Sequence, residues 1–141
     1  MRAFIQRVSG ASVRVEGKTV GTIGAGLCVL LGVGLGDDQA CCDRLAEKVR
    51  ALRIFDDGAG KMSDPLGERE VLCVSQFTLY GDTSKGNRPS FSGAAPSELA
   101  EPLYERFCRQ LGAERGVFGA AMELELVNDG PVTLMLEVDP A

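Results

Sequence analysis

Two short peptides hold most of the chemistry this chain could perform. Ser75-Gln76-Phe77-Thr78-Leu79 closes the apolar run Val71 to Val74 and places three polar side chains at what reads as a sheet rim. Such groups either satisfy local backbone or face a ligand. The second peptide is Asn128-Asp129-Gly130-Pro131-Val132-Thr133, where a Gly-Pro step falls between two stretches that read as strand. Proline cannot donate to a ladder and glycine weakens a strand interior. The interruption therefore marks a tight turn, or a place where main-chain atoms approach something closely. A third segment, Lys85-Gly86-Asn87-Arg88-Pro89-Ser90-Phe91, combines cations with an aromatic ring, a mixture suited to phosphates and an unpaired base.

Other candidates carry less. Gly32-Val33-Gly34-Leu35-Gly36 follows a strand and precedes a helix, but it lacks the spacing and the Lys-Ser/Thr ending of a phosphate loop. Asp56-Asp57 beside Lys61 could serve acid–base work or hold a hard cation, and reads better as a solvated turn. The chain has no histidine, which excludes Ser-His-Asp and Cys-His catalysis. Chemistry is left to carboxylates, hydroxyls, main-chain dipoles or the substrate itself.

Cysteines 28, 41, 42, 73 and 108 form no CxxC pair. With histidine absent too, the expectation is no metal, no cofactor and buried, reduced thiols. A net charge of −5 argues against general affinity for nucleic acid or anionic membrane. No run approaches the ~20 apolar residues of a membrane span, and the N-terminus does not read as a signal peptide. These features point to a cytoplasmic protein.

The elements that must position these peptides follow from periodicity. Residues 2–8 read as a strand, and 12–16 with 19–23 as a hairpin. Residues 27–33 form a continuous apolar run that fits a strand covered on both faces. Asp37-Asp38 opens a helix with Cys41 or Cys42, Leu45, Val49 and Leu52 inward. Asp56 to Arg69 reads as a loop, Val71 to Leu79 as a strand, and Tyr80 to Ala95 as a long loop of the kind that is usually functional or disordered. A second helix runs from Pro96 to about Leu111 with Leu99, Leu103, Phe107 and Leu111 on one face. Strands near 122–127 and 132–138 end the chain. At 141 residues this is one domain, 1–141, of the α+β class: a barrel-like, strongly curved sheet with two main helices.

With both peptides intact, the chain resembles the D-aminoacyl-tRNA deacylase family, whose signatures SQxTL and NxGPVT are Ser75–Leu79 and Asn128–Thr133 here. The likeness extends over essentially the whole chain, through Met1-Arg2-Ala3, Gln6-Arg7-Val8, Leu30 to Val33, Leu52 to Phe55, Gly60-Lys61-Met62, Arg88 to Phe91 and Val117-Phe118-Gly119. Asp64 to Glu70 and the stretch after Leu111 are a few residues shorter than the family pattern. Ala121 precedes Met122 where members often carry Asp, so a carboxylate role there does not transfer.

The resemblance implies a homodimer with active sites at the subunit interface, hydrolysing the ester between a D-amino acid and the 3′ end of tRNA. It implies that Gly130-Pro131 is cis and enters the partner's pocket, while Arg7, with Asn128, Val132 and Thr133, supports that dipeptide. Ser75, Gln76, Phe77 and Thr78 are implied as the catalytic strand. Lys85, Arg88, Ser90, Phe91 and Met122 are implied in substrate and tRNA binding. Rejection of L side chains by backbone clash leaves glycine admissible.

An aminoacyl ester is already activated, so the 2′-hydroxyl of the terminal ribose can help activate water, with N–H groups near Phe77, Thr78 and the Ser90-Phe91 turn as oxyanion donors. Thr78 as nucleophile stays open at this point, although no base lies in its motif. The alternative function is a non-catalytic dimer that binds a nucleic-acid 3′ end.

Overall fold

The break expected after Val8 is absent. In the computed structural model, which describes residues 1–141, Arg2–Val15 form one strand, β1. It is this long because it serves three partners. Its first half pairs antiparallel with β3 (Gly26–Gly32) and its second half with β2 (Lys18–Ile23), while β8 (Glu123–Glu137) follows almost its whole length. β6 (Glu70–Ser75) lies parallel to β3, and the short β7 (Glu114–Arg115) parallel to β6.

The order β2-β1-β3-β6-β7 curls until its ends approach. A Cβ on Gly21 would stand 2.7 Å from the Arg115 carbonyl oxygen, so a residue without a side chain lets β2 and β7 come this close. The result is a nearly closed barrel with two helices against its outer face.

The pleat divides each strand between two cores. Val8, Val13, Cys28, Leu72 and Val74 fill the barrel interior. Ala3, Ile5, Leu27, Val29 and Cys73 face α1 (Gln39–Ala51) and α2 (Ser97–Leu111). β3 contributes to both, which is why its sequence is continuously apolar. All five thiols are buried and unpaired. Both Cys41 and Cys42 belong to the inward stripe of α1, together with Leu45 and Val49.

Asp38 caps α1, accepting from the Cys41 N–H at 2.9 Å and so satisfying one of the free donors at the helix start. That bond lowers its pKa. Asp37 does not join it at the helix end but turns inward. In α2 the buried stripe is Ala100, Leu103, Tyr104, Phe107 and Cys108. Leu99, expected inside, is 57% exposed, because the inward arc is centred one residue later. The loop expected over 56–69 contains a small hairpin, β4 (Phe55–Asp56) with β5 (Met62–Asp64).

Arg106 of α2 holds Asp43 of α1 in a two-pronged ion pair at 2.7 and 2.9 Å, and Gln110 adds a third bond. These contacts, the Arg106 hydrogen bond foremost, lower the Asp43 pKa from 3.8 to about 2. A depressed carboxylate stabilises the fold above its unfolded pKa and loses that contribution as pH falls through the folded value. The thermal midpoints of wild type and Asp43→Asn, followed by circular dichroism, are therefore expected to differ at neutral pH and to converge between about pH 4 and pH 2.

Candidate active site

β6 ends at Ser75, four residues before its expected end. β3 stops at Gly32, so the last ladder bond available runs from the Gln76 N–H to the Leu31 carbonyl, 2.8 Å. The chain then winds into a 3-10 turn, Phe77–Tyr80. The first bond of the turn joins the Leu79 N–H to the Gln76 carbonyl at 3.2 Å. The N–H groups of Phe77 and Thr78 therefore lack partners within it, as at any helix start. The Gln76 side-chain amide donates to the Thr78 hydroxyl.

Beneath this turn lies a cavity of about 520 Å³. Ser75, Gln76 and Phe77 form its polar rim. Val74, Tyr104, Phe118 and Met122 make its apolar wall, and Ala94, Ala95, Ala100 and Ala120 leave it open. Thr78 stands beside the lining rather than in it. No carboxylate, amine or guanidinium lines the space. Its one titratable group is the Tyr104 phenol, which donates to the Cys73 carbonyl at 2.9 Å and whose pKa is pushed up by burial. Met122 is fixed by its thioether, which accepts from the Val117 N–H at 3.4 Å. A Cβ on Gly116 would lie 2.5 Å from that sulfur.

The loop 82–92 folds back over the turn. Asp82 and Ser90 exchange backbone bonds of 2.7 and 2.9 Å, so the Ser90 N–H is already engaged and is not an oxyanion donor. Phe91 meets Phe77 edge to face, with ring centroids 5.2 Å apart, and both rings are exposed. Lys85 and Arg88 are exposed on the same loop and make no ion pair.

The second peptide lies elsewhere. The two C-terminal strands expected around the Gly-Pro step are one strand, β8, and both its halves pair with β1. Gln6 faces Thr133 and Val8 faces Asn128, so Asp129 to Val132 bulge out opposite the single residue Arg7. A bulge lets a strand carry a proline without losing its ladder. The Gly130-Pro131 peptide bond is cis.

Arg7 lies mid-strand rather than at a strand end, and it is 8% exposed. Its guanidinium donates to the Ile54 carbonyl (2.8 Å) and the Asp129 carbonyl (3.2 Å), and pairs with the Asp129 carboxylate (3.1 Å). Asp56 stands 3.6 Å away. Asn128 closes the bulge, donating to the Arg7 and Val132 carbonyls at 2.9 and 3.1 Å. Gln6 reaches the Thr133 hydroxyl at 3.3 Å.

The chain thus brings together Ser75, Gln76, Phe77, Thr78, Phe91 and Met122. It separately gathers Arg7, Asn128, Gly130, Pro131, Val132 and Thr133. Within one chain the two groups do not meet. Ser75 is level with Leu31 and Ala3, four residues along β1 from Arg7 and three strands across from β8. At about 3.3 Å per residue and 4.8 Å per strand, that separation is on the order of 15–20 Å. Sequence reasoning missed Tyr104, Phe118, Ala100 and Asp129. Ala100 and Tyr104 carry only the signal of helical core spacing, Phe118 lies in a turn outside any periodic element, and Asp129 reads as a turn residue.

The family model for D-Tyr-tRNA(Tyr) deacylase matches residues 4–137, both groups included. The chain belongs to this deacylase family. The D-aminoacyl-tRNA deacylase of Thermosipho africanus is 57% identical, covering 97% of each chain. That of Roseiflexus castenholzii is 54% identical over 97% of this chain and 92% of its own. The solved c-Myc DNA unwinding element binding protein superposes with a TM-score of 0.92 at 44% identity, covering all of both chains. A probable eukaryotic D-amino acid tRNA deacylase superposes with a TM-score of 0.82 at 19% identity, over 97% of this chain and 98% of its own, and shares the fold.

No helix is long and apolar enough to cross a membrane. No cluster of three or more His, Cys, Asp or Glu side chains is placed to hold a metal ion.

Proposed function

We propose that this chain is a D-aminoacyl-tRNA deacylase, removing D-amino acids from tRNA as a proofreading step in translation. The observation that carries the mechanism is a cavity rimmed by Ser75, Gln76 and Phe77 that contains no acid or base able to activate a nucleophile. Water attacks the ester carbonyl, the 3′-oxygen of the ribose leaves, and free amino acid and tRNA result. The neighbouring 2′-hydroxyl of the substrate assists the attacking water. The unpartnered N–H groups of Phe77 and Thr78, and that of Phe91, receive the developing oxyanion, each donor typically worth ~2.7–4 kcal/mol. The Thr78 hydroxyl accepts from Gln76 and has no base beside it, which favours a positioning role over a nucleophilic one.

The active form in this reading is a homodimer. β8 pairs with β1 alone, leaving a 15-residue edge with Val127, Leu134 and Met135 exposed along it. A long apolar edge of this kind invites a covering partner. The Gly130-Pro131 bulge, remote from its own cavity, then serves the cavity of the second copy and excludes L side chains there, with glycine admitted. Lys85 and Arg88 contact the tRNA 3′ end, giving weak, salt-sensitive binding. The reaction needs no metal or cofactor and takes place where charged tRNA is used, in the cytoplasm.

A second reading, non-catalytic binding of a nucleic-acid end, is prompted by the related c-Myc DNA unwinding element binding protein. One assay separates the two: purified protein with D-Tyr-tRNA and, separately, L-Tyr-tRNA. Release of D-tyrosine alone is expected, and Thr78→Ala is expected to retain measurable activity. Equal rates on both esters, or hydrolysis of neither, would sink the deacylase reading.

A further inference from the structure

The 3-10 turn that carries the catalytic N–H groups is fixed at its far end by residues outside both family signatures. Tyr80, its last residue, fits against two glycines. A Cβ on Gly34 would lie 2.6–2.8 Å from the Tyr80 ring and hydroxyl, and one on Gly32 would lie 3.2 Å from the ring. No other residue type leaves that space. The Arg2 guanidinium lies over the same ring, 4.4 Å from its centroid, and donates to the Leu79 carbonyl at 2.7 Å. Arg2 is itself steadied by Glu137 of β8 at 3.0 Å. One side chain of β1 thus grips the turn through a ring and through a backbone carbonyl. Arginine is suited to this, since its planar fork stacks and donates at once while lysine offers only a point charge.

We propose that Arg2 and Tyr80 are positioning residues for deacylation, acting together through the turn Phe77–Tyr80 to aim its N–H groups at the reacting carbonyl. Neither residue reaches the cavity lining, so both act on the rate step rather than on substrate binding. The inference rests on the deacylase reading above. It also accounts for the glycines at 32 and 34, which a phosphate-loop interpretation would have given to a nucleotide.

The test is steady-state hydrolysis of D-Tyr-tRNA by wild type, Arg2→Ala, Arg2→Lys, Tyr80→Leu, Tyr80→Phe and the Arg2→Ala/Tyr80→Leu double variant, with thermal midpoints measured alongside. Arg2→Ala and Tyr80→Leu are each expected to lower kcat about tenfold or more, with KM within about twofold, because a small misaim of catalytic groups is costly. The double variant is expected to be no slower than the slower single one, as for residues acting through a single contact. Tyr80→Phe, which keeps the ring, is expected to recover most of the loss, and Arg2→Lys little of it. An Arg2→Ala kcat within twofold of wild type, multiplicative losses in the double variant, or Tyr80→Phe as slow as Tyr80→Leu would each overturn the proposal. Wild type inactive on D-Tyr-tRNA would instead remove the deacylase reading, and this inference with it.

Discussion

Ala120→Phe is expected to lower kcat/KM for D-Tyr-tRNA by about 100-fold or more while leaving the thermal midpoint nearly unchanged. Ala120 lines the cavity and is only half-buried. In the deacylase reading, a benzyl group there projects into the space proposed for the substrate, not into packed core. Overpacking penalties apply to filled interiors, and this wall is open. The same change at Ala100 would confound the result, since that residue is 9% exposed on the inner face of α2 and a larger side chain would strain the helix seat. Activity and melting temperature measured on one preparation decide the matter. An Ala120→Phe protein that hydrolyses D-Tyr-tRNA at the wild-type rate would show that the reacting ester sits elsewhere.

The largest effect on stability is expected at Asp37. Its side chain is 2% exposed and lies 2.8 Å from the fully buried amino group of Met1, while accepting from the Gly34 N–H at 2.6 Å. The same ammonium donates to the Val138 carbonyl at 2.6 Å, so the first and last segments of the fold meet here. Removing one member of a buried ion pair leaves an uncompensated charge, which costs ~3–5 kcal/mol. For a chain of this size that corresponds to a fall in midpoint of roughly 10 °C or more. Asp37→Asn should recover part of the loss, because its amide oxygen can still accept from Gly34. A midpoint for Asp37→Ala within about 3 °C of wild type would show that the pair is not held as described.

The fold is most legible in the sequence where residues advertise themselves locally. The two-faced burial of β3, the inward stripe of α1 and the curved sheet with two helices all follow from apolar periodicity. The resemblance rests instead on two unbroken peptides, and the 57% identical relative bears it out.

What the sequence left obscure depends on partners distant along the chain. Nothing in Val71 to Leu79 tells that β3 will end at Gly32, and that absence of a ladder partner is what curls Phe77–Tyr80 into a turn. Nothing near Gly130 tells that both halves of β8 bond one strand 120 residues away, so that the interruption becomes a bulge rather than a hairpin. Asp37 reads as a helix-start residue, and only the buried amino group of Met1 explains why it turns inward. The cavity wall was hidden for a related reason. Tyr104 and Ala100 have the spacing of core residues and are core residues, buried on the side of α2 that also floors the site.

β1 carries Arg2 beneath the turn Phe77–Tyr80 and Arg7 beneath the Gly-Pro bulge. They are five residues apart, an odd number, so the pleat sends them to opposite faces of one ribbon. β1 works as a ruler with one mark at its start and one near its middle. A slip of one residue against β3 or β8 would turn both marks over together, so neither site could be mis-set alone. If the bulge of one subunit serves the cavity of the next, the tolerance of each site is set by two such rulers laid across a symmetry axis. Stereochemical fidelity then becomes a matter of strand registration, maintained by every ladder bond along β1 and not only by the residues that touch the substrate.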